Sequence, residues 1–227
     1  MVPESAKTAI AKWLERGSPP QVGIAWPRQR WIERFPDSRE LFNGLPDQLD
    51  RRIVREHCAS AGSSPEEAER AFLIVMTWGY GDVGYGPFRV ARILGDTRDA
   101  SGRLQRAVQS LASGGPLDGY DALGDYGQSR LKWLGPAFGT KFLHFCSPPG
   151  LPPALILDRL VADWLRMNAE LSLNPVPWST QTYRRYIDLL TEWARELAIE
   201  PDELETCLFT EEAGRAGSQW GSRGTGR

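Results

Sequence analysis

The stretch Leu131-Lys132-Trp133-Leu134-Gly135-Pro136-Ala137-Phe138-Gly139-Thr140-Lys141-Phe142-Leu143 decides how the rest of the chain is read. Gly135-Pro136-Ala137-Phe138-Gly139 reads as a tight turn. It joins a helix predicted over Tyr120 to Leu134, imperfect at Gly124 and Gly127, to a short helix from Thr140 to Cys146. Such a hairpin points the backbone N–H groups at the start of its second helix outward. Those donors, with the positive end of the helix dipole, suit one phosphate without any basic side chain. The same pattern also describes a plain helical hairpin that uses glycine only to turn. Lys141 bears on the choice. It falls in the first turn of the second helix, where added positive charge is disfavoured, whereas a nucleophilic lysine has to be a neutral amine. Arginine cannot substitute, because a guanidinium stays protonated. Arginine outnumbers lysine 23 to 4 in this chain (Lys7, Lys12, Lys132 and Lys141), so a lysine here asks for a reason.

Seventeen residues beyond Lys141, across the proline-rich connector Ser147 to Pro153, lies Asp158. It sits near the start of a helix predicted over Ala154 to Leu171, among Leu155, Ile156, Leu157, Leu160 and Val161. A carboxylate in such company is either paired or employed; alternatively, it caps its helix. Upstream, Ser64-Pro65-Glu66-Glu67 is a capping box with proline at the first helical position. The helix it starts runs to Trp78, is apolar on most sides and is therefore central. A glycine–aromatic loop follows from Gly79 to Pro87, then an arginine-rich helix from Phe88 to about Ala112, interrupted near Gly95 or Gly102. Helical spacing also covers Pro3 to Arg16, Pro46 to Ala61, a stripe through Tyr183, Tyr186, Ile187 and Leu190, and a last helix from Pro201. No alternating strand pattern is long enough for a sheet. The expectation is an all-α fold forming one domain over residues 1–212, with the hairpin at about 120–146. Residues 213–227, with five glycines and three arginines, read as a flexible tail.

Composition narrows the function. With 41% hydrophobic and 25% charged residues the chain falls among soluble globular proteins, which excludes wholesale disorder. No apolar run approaches the ~20 residues needed to cross a bilayer, and Met1 to Gly23 holds no signal-peptide core, so a cytoplasmic protein is expected. Cys58, Cys146 and Cys207 are scattered in sequence, and His57 and His144 are the only histidines; neither a disulfide framework nor a metal site is expected. The net charge of −2 conceals segregation: residues 187–212 hold nine acids and one base, contributing −8, and the remainder carries +6. A basic surface can therefore coexist with an acidic end, although an ordinary solvated acidic helix also accounts for the run.

The hairpin with Gly139-Thr140-Lys141, followed by Asp158-Arg159-Leu160-Val161, resembles the signature of the helix–hairpin–helix DNA glycosylase superfamily. The Gly-Thr-Lys form is similar to that of the 8-oxoguanine DNA glycosylases, and Val90-Ala91-Arg92-Ile93 resembles the segment after their strand-penetrating loop. The likeness extends over roughly residues 60–210 and lies close to a bacterial 8-oxoguanine glycosylase-fold group, some of whose members occur beside antiphage defence genes. The resemblance implies two helical lobes with a damaged purine flipped into a pocket between them. It implies that Lys141 attacks the anomeric carbon and forms a Schiff base, giving AP lyase activity by β-elimination, while Asp158 stabilises the cationic sugar. It further implies phosphate contacts from Gly135, Ala137, Gly139 and Thr140, and a monovalent cation on hairpin carbonyls. Ala137 departs from the glycine usual there, which bears on the phosphate grip.

Other candidates come from the residues themselves. Tyr80 and Tyr85 suit filling the gap left by an extruded nucleotide, or packing their loop against the core. Arg89 and Arg92 suit phosphates or the opposing base, or a solvated helix face. Trp178, Tyr183 and Tyr186 suit a stacking wall for a purine, or a core stripe at helical spacing. His144 suits reaching the pocket from the Lys141 helix, or more simply an exposed or satisfied histidine, and Cys146 suits the inner face of that helix with no catalytic role. The expected function is a monomeric base-excision enzyme, a glycosylase and AP lyase acting on damaged DNA and chiefly on 8-oxoguanine. The alternative is a non-catalytic helix–hairpin–helix nucleic-acid-binding module in repair or antiphage defence. Lys141 with Asp158, expected to converge on one deoxyribose, separates the two.

Overall fold

The computed structural model describes residues 1–174 and 176–221, and helices dominate it. In chain order they are α1 (Glu4–Glu15), α2 (Arg28–Arg34), α3 (Arg39–Gly44), α4 (Arg51–Cys58), α5 (Pro65–Tyr80), α6 (Gly86–Asp96), α7 (Ala100–Gly114), α8 (Pro116–Leu123), α9 (Pro136–Phe145), α10 (Arg159–Ala169), α11 (Thr180–Leu197) and α12 (Pro201–Gly221). Extended pairing among the described residues is one antiparallel ladder, Ile24–Ala25 with Gln48–Leu49. The fold is all-α.

Two compact units divide the chain: one is the continuous stretch Val22–Ala154, the other is assembled from both ends, Met1–Gln21 and Leu155–Arg227. In the continuous unit α5 is the central helix. Ser64 starts it, its hydroxyl accepting from the Glu67 N–H at 3.2 Å with Pro65 in the first turn. Nine of its residues are buried, and it packs against α4, α6, α7 and α9. The break expected near Gly95 or Gly102 falls between them, at Thr97 to Asp99, where Asp99 has φ +56°. The helix expected from Pro46 starts instead at Arg51, because Asp50 caps it and Gln48–Leu49 joins the ladder. Helices α2 and α3 have no counterpart in the sequence reading.

The helix predicted over Tyr120 to Leu134 ends at Leu123. A Cβ on Gly127 would lie 2.2 Å from the carbonyl oxygens of both Asp121 and Ala122, so the chain folds back over the end of α8 where only glycine fits. Residues 124–135 are loop. The predicted tight turn at 135–139 is the opening of α9, because Pro136 at the first helical position pre-sets φ for a helix.

In the unit formed by the chain ends, α10 packs on α12, α11 on α12, and α1 on both α10 and α12. The acidic segment finds partners there. The Met1 amine lies 3.0 Å from Glu192, the Val2 N–H donates to Glu196 at 3.0 Å, Lys7 lies 3.3 Å from Glu196, and Arg16 pairs with Glu211. The helix expected from Ala154 begins at Arg159, after an extended stretch. Helix α12 continues to Gly221, through residues that composition assigned to a flexible tail from 213; residues 222–227, and Pro175 in the predicted helix break, lie outside the described residues.

Candidate nucleic-acid interface and lysine site

The start of α9 supplies free donors, and of those the resemblance named they include Ala137 but not Gly139 or Thr140. Gly135 is the N-cap and has no side chain to accept from the first turn. Pro136 has no N–H, and the Gly139 N–H donates to the Gly135 carbonyl at 2.9 Å. Thr140 is buried, its hydroxyl donating to the Ala137 carbonyl at 3.1 Å. Gly139 and Thr140 are therefore built into the helix, and the outward N–H groups are those of Ala137 and Phe138, which have no hydrogen-bond partner among the described residues. Ala137 stands in helical backbone, which any L-residue adopts, so the absence of glycine there costs the turn nothing.

Lys141 is the sixth residue of α9, not part of its first turn. Dipole effects fade within that turn, so the helix start does not explain the lysine. Packing does more. Lys141 is 7% exposed, and a lysine so buried is rare. Its Nζ stands 5.7 Å from the centroid of the Phe138 ring, one turn earlier on the same face. Gly79 closes the other side: a Cβ there would come within 2.9 Å of the Phe138 ring and 3.4 Å of the Lys141 Cδ. Tyr80, the last residue of α5, stacks on Phe138 with centroids 4.3 Å apart. Burial pushes the Tyr80 phenol up, and nearby Arg89 offsets part of that shift.

His144, one turn after Lys141, has a fixed structural place. Its Nδ1 lies 2.8 Å from the Ala154 carbonyl and its Nε2 2.9 Å from the Arg55 guanidinium. The guanidinium can only donate, so Nε2 accepts and Nδ1 carries the hydrogen. Complete burial, then Arg51 and Arg55, hold its pKa well below the usual histidine value, and the ring is neutral. Cys146 and Cys58, far apart in sequence, are buried neighbours, and burial pushes the Cys146 thiol up.

The loop before α6 and the helix itself form an exposed cation–aromatic array. Tyr85 and Phe88, about half exposed, lie 5.3 Å apart. Arg89 lies over Tyr85 at 5.8 Å and Arg34 over Phe88 at 5.7 Å, while the tip of the Arg30 side chain lies directly against Gly84. Arg92 faces the Trp133 ring at 3.8 Å and Asp96 at 3.5 Å, and the Trp133 indole N–H donates to Asp96 at 2.8 Å. That trio ties α6 to the hairpin loop.

Thus Tyr80, Tyr85, Arg89, Arg92 and Lys141 share one unit with the α9 start. Arg30, Arg34, Gly79, Phe88 and Phe138 join them without having been singled out in the sequence. Phe138 had a signal, its position three residues before Lys141; the others had none.

In the other unit, Asp158 is the N-cap of α10, accepting from the N–H groups of Leu160 at 3.1 Å and Val161 at 3.2 Å. It is 8% exposed, so both sequence readings, cap and buried carboxylate, describe it. Tyr183 and Tyr186 are fully buried and donate to the carbonyls of Leu155 and Ile156 at 2.8 and 2.7 Å, holding the extended stretch that leads to Asp158. The stacking wall expected of Tyr183 is corrected to a core stripe, as its helical spacing also allowed. Trp178 is half-buried, just before α11.

Residues 17–209 match the protein family described as "Putative 8-oxoguanine DNA glycosylase OGG-like protein". The chain belongs to this OGG-like family. None of the curated proteins and none of the solved structures compared with the chain is similar enough to count as a match. The OGG-like match spans α2 to α11 and so takes in the α9 start, Lys141 and Asp158. Among the described residues of this OGG-like chain, no three His, Cys, Asp or Glu side chains gather as metal ligands, and no helix is long and apolar enough to cross a membrane.

Proposed function

We propose that the chain is a DNA glycosylase with AP lyase activity that excises oxidised purine, 8-oxoguanine first, through a Schiff base on Lys141. The observation that carries the reading is a buried lysine, one of four in the chain, held against Phe138 and Gly79 on the helix whose start offers two free N–H donors. Membership of the OGG-like family supports DNA as the substrate.

The Ala137 and Phe138 amides hold a backbone phosphate, and the exposed Tyr85, Phe88, Arg89 and Arg92 engage the duplex around the extruded nucleotide. The neutral amine of Lys141 attacks C1′. The C1′–N9 bond breaks, its electron pair leaves with the base, and the base takes up a proton. The amine sheds the proton that the base takes up, and its nitrogen lone pair then expels O4′, which takes a proton from water, leaving a protonated imine at C1′; loss of a C2′ proton expels the 3′ phosphate, and water releases the lysine. Asp158 stabilises the cationic sugar. A monovalent cation on hairpin carbonyls takes no part in these steps. The enzyme acts as a monomer on damaged DNA in the cytoplasm.

Borohydride reduction in the presence of a duplex carrying 8-oxoguanine is expected to leave a covalent protein–DNA adduct. Lys141→Gln should abolish the adduct while duplex binding is largely kept. Absence of an adduct and of strand cleavage over a panel of oxidised and alkylated bases would leave a non-catalytic nucleic-acid-binding module as the function.

A further inference from the structure

A groove of about 440 Å³ lies between the α6–α7 junction, α7 and the hairpin loop, apart from the Lys141 surroundings. Its walls carry Arg98, Arg103, Arg130 and Lys132, together with Asp96 and Asp125. Both acids are already engaged, Asp96 by Trp133 and Arg92 and Asp125 by the groove's own Arg130 at 3.6 Å. Arg98, Arg103 and Lys132 have no carboxylate within ion-pair distance among the described residues. Arg103 is held rigidly, donating from Nε to the Arg98 carbonyl at 3.1 Å and from Nη1 to those of Gln128 and Arg130 at 3.2 and 3.0 Å. A fixed guanidinium in one groove with two exposed cations that have no carboxylate partner among the described residues suits a chain of phosphates.

Tyr126 stands at the edge of this groove with its side chain fully exposed, unlike the buried Tyr120, Tyr183 and Tyr186. A lone exposed ring beside a cationic track offers a face to a base, and only an unpaired base can use it. Tyr126 also borders a larger hollow of about 600 Å³. That hollow holds Asp118 and Asp121 against a single arginine, Arg106, which is already paired with Asp99 at 2.9 Å. A polyanion is therefore directed to the Arg98–Lys132 side.

From this we infer a second nucleic-acid site: the groove binds an unpaired stretch of DNA, its phosphates along Arg98, Arg103 and Lys132 and one base stacked on Tyr126. The inference rests on the reading of the chain as a DNA-acting protein, but not on Lys141 chemistry. On that reading the favoured substrate carries a single-stranded segment beside the duplex that holds the lesion.

The test uses the full chain, a fluorescein-labelled undamaged dT15 strand and an undamaged 15-base-pair duplex, with anisotropy read between about 50 and 200 mM salt. The Arg98→Ala/Lys132→Ala double variant should bind dT15 more weakly, with a log–log salt slope flatter by about 1.4, as expected for two lost single-strand phosphate contacts. Tyr126→Ala should lose about 5- to 150-fold in dT15 affinity with the slope unchanged and duplex affinity kept, and Tyr126→Phe should restore binding. All three positions are exposed, so folding is not at stake. Failure of dT15 to bind, or wild-type affinity and slope in both the double variant and Tyr126→Ala, overturns the site. Lys141→Gln should bind dT15 as the wild type does; failure of the wild-type chain to form the borohydride adduct, with groove effects intact, condemns the catalytic reading alone, and the reverse pattern condemns the groove alone.

Discussion

Asp158 is the residue at which a structural and a catalytic role can be pulled apart by choice of substitution. Its carboxylate accepts from two backbone N–H groups at the start of α10. Asparagine caps about as well as aspartate, whereas alanine forfeits the cap at about 0.5–2 kcal/mol. At ~2–4 °C per kcal/mol for a protein of this size, Asp158→Ala should lower the melting temperature by a few degrees. Asp158→Asn should leave it close to wild type. Catalysis orders the pair differently. If the negative charge stabilises the cationic sugar, both variants lose it, and removing one such electrostatic contact costs ~2.7–4 kcal/mol, or 10²- to 10³-fold in rate. The assay is single-turnover excision from a duplex containing 8-oxoguanine, with anisotropy for binding and thermal unfolding on the same preparations. The expected signature is Asp158→Asn with wild-type stability, near wild-type binding and excision slowed at least a hundredfold. Excision by Asp158→Asn at the wild-type rate would reduce Asp158 to a helix cap and remove it from the mechanism.

Three further outcomes follow from the packing. Gly79→Ala places a methyl 2.9 Å from the Phe138 ring and in ordinary contact, 3.4 Å, with the Lys141 Cδ, so the ring must shift against the lysine it packs on; borohydride trapping should slow by up to ~10²-fold, as displacements near 1 Å do, and unaltered trapping speaks against this placement of the lysine. Tyr183→Phe and Tyr186→Phe each leave a buried carbonyl, of Leu155 or Ile156, without its donor; each should cost ~1–3 kcal/mol in denaturant unfolding, and a variant as stable as wild type would show its bond to be dispensable. His144 has a folded-state pKa below its ordinary 6.5, so the unfolded chain takes up the proton first. Its contribution is complete above about pH 6.5 and is lost as pH falls from there toward the folded value, at up to ~1.4 kcal/mol per pH unit; unfolding of His144→Gln between about pH 7.5 and 5.5 should be less pH-dependent than wild type by up to that slope, and superposable pH profiles would contradict the buried neutral ring.

Much of the fold was legible in local pattern. Ser64-Pro65-Glu66-Glu67 marked the start of α5 because capping is a contact within four residues, and the unbroken apolar run behind it marked the central helix because only a helix covered on most sides tolerates such a surface. Lys141 and Asp158 stood out by type, a lysine among arginines and an acid among aliphatics, and the family match covers both. Where glycine and proline could be read two ways, the reading went astray. Gly135-Pro136 looked like a turn and begins a helix; Tyr120 to Leu134 looked helical and breaks at Leu123, where residues 124–135 fold back over the end of α8.

What the chain determined by itself is what near neighbours can decide: helix class, caps, the charge-segregated end and the identity of the chemically unusual residues. Tertiary structure alone decided which amides at the start of α9 stay free, that Gly79 and Phe138 press on Lys141, that Tyr183 is a core strut, and that Arg98, Arg103 and Lys132 meet in one groove beside Tyr126. The reason lies in range. Capping and periodicity act over one or two turns, whereas burial and charge pairing depend on which distant surface arrives, and a sequence records the side chains without recording what comes to lie against them.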